Sequence, residues 1–102
     1  MNAKLATLAN VIENRLFHKR FSRKSLKSTI KEIMEHYGIK KWKIVYNVEQ
    51  NSADYNAVLV IDDNTEYYSY TDIYYCKMNA KGAKALGCDE TMFITEIATN
   101  RG

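Results

Sequence analysis

The chain has 102 residues, 46% of them hydrophobic and 26% charged, with a net charge of +3. That length and balance suit one globular domain with a single core (residues 1–102) and exclude disorder as the resting state. Proline is absent and glycine occurs only four times, so no flexible or Pro-rich linker divides the chain, and no fixed-period repeat is visible.

Leu5, Leu8, Ala9, Ile12 and Leu16 fall at i, i+3, i+4, i+7 and i+11, which predicts an amphipathic helix over residues 3–18. Asn10, Glu13 and Asn14 interrupt its apolar residues, so it does not read as a secretory signal. Its Arg and Lys would suit a transit peptide, but the basic segment that follows has the pattern of a structural helix. No stretch approaches the roughly 20 apolar residues of a membrane span. The expected location is the cytoplasm, that of a host if the protein is viral.

Phe21-Ser22 reads as the start of a second helix. Ser22 is the N-cap, and Phe21 staples to Leu26 across it. Leu26, Ile30, Ile33 and Tyr37 form its apolar stripe, Gly38 ends it in a left-handed turn, and Ile39 closes the end with an apolar contact. From Trp42 the period changes to two. Trp42, Ile44, Tyr46 and Val48 alternate with Lys41, Lys43, Val45 and Asn47, as on a strand with one apolar face. "EQNSADYN" is a polar loop, "AVLVI" a central strand, "DDNT" a turn and "EYYSYTDIYY" a third strand. "NAKGAKALG" has the signals of a short helix, capped by Asn79 and stopped at Gly87, although Gly82 weakens it. "TMFITEIA" is a last strand. The expected class is α+β: two N-terminal helices on one face of a mainly antiparallel four-stranded sheet, in the order ααβββ(α)β.

Charge is divided unevenly. Residues 1–47 carry eleven Lys/Arg against three acids, a balance of +8, whereas residues 48–102 carry four against nine, a balance of −5. Arg20, Arg23, Lys24, Lys27 and Lys31 repeat at helical spacing, centred roughly 110° around the helix from its apolar stripe. Packing the apolar side therefore leaves this basic side exposed, with Lys19, Lys41 and Lys43 at its periphery. Arg23 and Lys24 sit in the first turn, where cations oppose the positive end of the helix dipole. A feature set against local preference points to another role. Lys and Arg that neutralise phosphates release condensed counterions, and free N–H groups at a helix start also suit phosphate. The competing readings are a solvated face that keeps the protein soluble and a surface that meets an acidic protein.

Tyr67, Tyr68, Tyr70 and Tyr74 are candidate protein-contact residues. Asp62, Asp63, Glu66 and Asp72 surround them and repel phosphate, so the bases of a nucleic acid suit this run less well than a protein does. Trp42 reads as core, and Phe21 as the staple rather than a base-stacking wedge. His18 and His36 have no spacing that brings them together for acid–base chemistry. Asp62, Asp63 and Glu66 lack EF-hand spacing. Cys76 and Cys88 read as buried thiols, since no Cys/His cluster has zinc spacing. Walker, Rossmann, HExxH and GxSxG signatures are absent.

No enzyme activity, metal or cofactor is expected. The expected function is nucleic-acid binding, RNA ahead of DNA, through the basic helical face. The alternative is an inhibitor or regulator that docks on a host enzyme or defence protein. In its short, proline-free, Asn-, Tyr- and Lys-rich character the chain resembles the small early proteins of large lytic phages, a likeness of style that implies either role.

Overall fold

A computed structural model describes residues 3–47, 55–62, 67–77 and 92–100. Helix α1 spans Ala3–Leu16 and buries Leu5, Leu8, Ile12 and Leu16, the stripe its spacing predicts. It ends two residues before the expected position because His18 takes a left-handed φ of 55°. Histidine tolerates that region better than most residues. The turn sends the His18 N–H to the Ile94 carbonyl at 3.0 Å instead of back along the helix.

This bond begins the element that the sequence reading missed. Lys19 accepts from the Ile94 N–H at 3.0 Å, and strand β1 (Arg20–Phe21) pairs antiparallel with residues 92–93. Phe21 thus has two tasks: it occupies an edge strand and directly precedes the cap of the next helix. The sheet accordingly has five strands, not four, and the described order is αβαββββ rather than ααβββ(α)β.

Helix α2 (Arg23–His36) is defined at both ends by side-chain chemistry. Ser22 Oγ accepts from the Ser25 N–H at 3.0 Å, and the Ser22 N–H donates to Ser25 Oγ at 2.8 Å. This is a reciprocal capping box in which serine replaces the usual Glu or Gln. At the other end Gly38, at φ 69°, lets its N–H reach the Glu35 carbonyl and the Ile39 N–H reach that of Met34, at 3.2 and 2.9 Å. Both bonds of a Schellman closure are present, and Ile39 is buried beneath it.

The remaining strands are β2 (Trp42–Asn47), β3 (Tyr55–Ile61), β4 (Ser69–Lys77) and β5 (Met92–Asn100). The sheet order is β1-β5-β4-β3-β2, antiparallel throughout, so β4 is the middle strand and "AVLVI" lies one place off centre. Tyr55 and Asn56 belong to β3 rather than to the preceding loop, and the tyrosine-rich strand starts at Ser69, not Glu66. The short helix expected over 79–87 lies outside the described residues, as do Val48, Asp63, Glu66 and Cys88.

Both helices bury their apolar sides in one core. Ala57, Leu59, Ile61, Ile73, Tyr75, Met92 and Ile94 supply the sheet's share of it. The opposite face carries Val45, Val58, Val60, Asp72 and Tyr74, exposed or half-buried. A bulge between Tyr74 and Tyr75 leaves Thr95 as the extra residue, its Oγ1 donating to the Tyr74 carbonyl at 3.2 Å. The sheet also curls. In a flat sheet β1 and β2, four spacings apart, would be separated by about 19 Å. Yet α2 leaves β1 at Ser22, and its first residue, Arg23, reaches Tyr46 of β2. No described helix is long and apolar enough to cross a membrane.

Candidate nucleic-acid interface

The curl sets the basic start of α2 opposite the edge strand β2. Along α2, Leu26, Ile30, Ile33 and Met34 are buried, while Arg23, Lys24, Lys27 and Lys31 are exposed. The outward basic side follows from the inward apolar one. On β2, Trp42, Ile44 and Tyr46 alternate toward the helix side and are half-buried, since α2 covers them only in part. Between the two elements lies a groove of about 500 Å³ lined by Arg23, Lys24, Lys27, Trp42, Lys43, Ile44 and Tyr46. Its walls are cationic and its floor is aromatic and aliphatic. The Arg23 guanidinium lies over the Tyr46 ring, 4.2 Å from its centroid, a cation–π contact that holds the arginine at the rim.

A second hollow of about 280 Å³ continues past Trp42, lined by Lys40, Lys41, Trp42, Lys43, Val60 and Asp62. Trp42 and Lys43 border both hollows, so the two form one basic band along the sheet edge. Among the described residues no carboxylate pairs with Arg20, Lys24, Lys27, Lys31, Lys41 or Lys43. The ion pair Arg15–Glu32, at 3.3 Å, joins α1 to α2 outside the groove lining.

The structure thus brings together four of the eight cations singled out from sequence, Arg23, Lys24, Lys27 and Lys43, with Lys41 in the adjoining hollow. Arg20 is exposed on β1 and Lys31 further along α2, and neither lines the groove. Lys19 is exposed, with its Nζ donating to the Asn14 carbonyl at 3.1 Å. Sequence reasoning missed Trp42, Ile44 and Tyr46 as lining residues. Their alternation was visible, but what faced them was not.

The tyrosines do not form one surface. Tyr67 packs edge-on against Tyr37 at the border of the core, with ring centroids 5.8 Å apart. Tyr70 and Tyr74 lie on the sheet face away from α1 and α2 with Asp72. The hydroxyls of Tyr68 and Tyr70 share a hydrogen bond of 3.0 Å, and this bond, with the charge of Tyr70, raises the Tyr68 pKa above the ordinary tyrosine value. On the same face the Asn56 amide donates to Asp72 Oδ1 and the Asn100 amide to Oδ2, at 3.0 and 2.9 Å, while Asn47 donates to Asn56 Oδ1 at 2.8 Å. This polar ladder crosses four strands.

The histidines sit in separate ring contacts. His18 stacks between Phe17 and Phe93, at centroid distances of 3.8 and 5.8 Å, and His36 meets Tyr37 edge-on at 5.3 Å. Cys76 is a half-buried free thiol, and no metal-ligating cluster occurs among the described residues. No protein-family model, curated protein or solved structure matches the chain.

Proposed function

We propose that this is a non-enzymatic nucleic-acid-binding protein that holds phosphates along the band running from α2 to β2. The observation that carries the reading is the convergence of Arg23, Lys24, Lys27 and Lys43 on one groove, where the lysines have no carboxylate partner among the described residues. Cations left without counter-charges in a concave site focus positive potential outward. A polyanion that occupies the site gains the entropy of its released counterions. RNA is favoured over DNA because the groove presents rings as well as charge, and folded RNA offers unpaired bases in its loops.

The test is a titration of the full chain with labelled RNA and DNA oligonucleotides at several salt concentrations. Affinity is expected to fall steeply as salt rises, and Lys24→Gln with Lys27→Gln is expected to weaken binding and flatten the dependence. Binding that ignores salt and both substitutions overturns the proposal.

A second reading rests on the sheet face away from α1 and α2, where Val45 is 39% and Tyr70 38% exposed. Apolar and tyrosine surface beside Asp72 suits a protein partner, such as the host enzyme of an inhibitor. A partner captured from lysate that survives nuclease, and is lost on Tyr70→Ala but not on Lys27→Gln, supports this reading over the first.

A further inference from the structure

We infer that the α2–β2 groove takes an unpaired nucleobase against Trp42, so that the preferred ligand is single-stranded nucleic acid rather than duplex. This rests on the nucleic-acid reading and names the form of the ligand. Charge alone does not explain the groove. A duplex presents its phosphates on a convex surface, and exposed lysines along α2 would bind them without any concavity. Here the lysines rim a hollow of about 500 Å³ whose floor is Trp42, Ile44 and Tyr46. That volume falls within the roughly 300–1,000 Å³ of small-ligand sites.

The rings of the floor are not equivalent. Tyr46 already has the Arg23 guanidinium over its face, at 4.2 Å from the ring centroid. Trp42 is half-buried and borders both hollows, which makes it the ring placed for a flat ligand from outside the chain. Lys24 and Lys27 line one hollow, Lys40 and Lys41 the other, where they outnumber the single described carboxylate, that of Asp62, and Lys43 borders both. A strand threaded along the band therefore meets cations before and after the indole. Bases within a duplex are stacked on each other and expose only their edges, so a base reaches the indole face only when unpaired. Base–aromatic stacking is tolerant of sequence, which fits a floor whose described residues carry no side-chain amide to read base edges.

Trp42 is the only tryptophan in the chain, so its emission reports this site directly. Full-length protein is titrated at one fixed salt concentration with oligouridylate of roughly ten nucleotides, a single-strand length typical of such sites. Parallel titrations use duplex RNA of the same length and inorganic polyphosphate. The expected result is quenching of Trp42 by oligouridylate, with affinity at least about fivefold above that for the duplex, the lower end of one stacked base. Polyphosphate is expected to bind without quenching. Trp42→Phe keeps the preference for single strands and Trp42→Leu loses it, both read by the anisotropy of fluorescently labelled oligonucleotides because the variants contain no tryptophan. If the leucine variant does not fold, quenching in the wild type still decides. Equal affinity for single strand and duplex with unchanged Trp42 emission overturns this inference and leaves the nucleic-acid reading standing. Absence of binding to any of the three at low salt overturns both.

Discussion

At the scale of single residues, the start of α2 sets stability against binding. Ser22 and Ser25 satisfy each other's backbone N–H groups, so Ser22→Ala removes one side of a reciprocal pair. The expected loss is about 1 kcal/mol, read as a lowered denaturant midpoint at unchanged slope. Lys24 acts in the opposite sense. It sits in the first turn of α2, where the helix dipole disfavours a cation, and it also lines the groove. Lys24→Glu replaces an unfavourable charge with a favourable one, and stability is expected to rise by roughly 0.3–1 kcal/mol at low salt. The same substitution places a carboxylate where phosphate is proposed to lie, so nucleic-acid affinity is expected to fall. Thermal melts and binding titrations on the one variant check both signs. A variant that is both less stable and a better binder contradicts the account of this helix start.

At the scale of elements, what the sequence made legible and what it hid have different physical origins. Both helices were legible because Leu5, Leu8, Ile12 and Leu16, and then Leu26, Ile30 and Ile33, repeat with the helical period. The ends of α2 were legible because Ser22 and Gly38 act locally, through bonds to residues a few positions away. β1 was not legible. Two residues carry no period, and Arg20–Phe21 becomes a strand only because Phe93 and Met92 lie beside it. The groove was hidden for the same reason. It depends on the curl that brings Arg23 to Tyr46, a contact between residues that nothing in the local pattern links. This distinction has a measurable consequence. A simple helical stripe would use Arg20, Arg23, Lys24, Lys27 and Lys31 alike. The groove uses Lys24 and Lys27 but not Arg20 or Lys31. Glutamine substitutions at the first pair are therefore expected to weaken binding several-fold more than at the second, in titrations at equal salt. The polar ladder on the sheet face away from α1 and α2 makes a second contrast. Asp72 accepts from Asn56 and Asn100, whereas Asn47 makes one bond at the ladder's end. Asp72→Ala strips a half-buried carboxylate from two amide donors and is expected to cost roughly 1.5–3 kcal/mol, against about 1 kcal/mol for Asn47→Ala. Urea denaturation of the two variants gives the comparison.

At the scale of the whole molecule, charge is segregated by position in the chain, and cations of the first half meet at the band between α2 and β2. Residues 1–47 carry the +8 balance and supply α1, β1, α2 and β2, whereas the described acids of residues 48–102 are Asp72 and Glu96, on β4 and β5, and Asp62, which borders the adjoining hollow. The cations gathered on the band favour the approach of a polyanion to that surface. It also fixes the expected form of the salt dependence. If Arg23, Lys24, Lys27 and Lys43 each neutralise one phosphate of a single strand, the plot of log K against log salt has a slope of roughly −3, at about −0.7 per phosphate. Lys40 and Lys41 in the adjoining hollow take it to roughly −4 if they also engage. Each glutamine substitution among these residues is expected to reduce the slope by roughly 0.7, and the equivalent change at Lys31, outside the groove, to leave it unchanged. Oligouridylate binding to the wild type and to the Lys24→Gln, Lys27→Gln and Lys31→Gln variants, followed from about 50 to 200 mM salt, measures these slopes. A slope near zero removes the phosphate contacts altogether. A slope much steeper than −4, reduced equally by all three substitutions, assigns binding to the whole basic half of the chain and not to the groove.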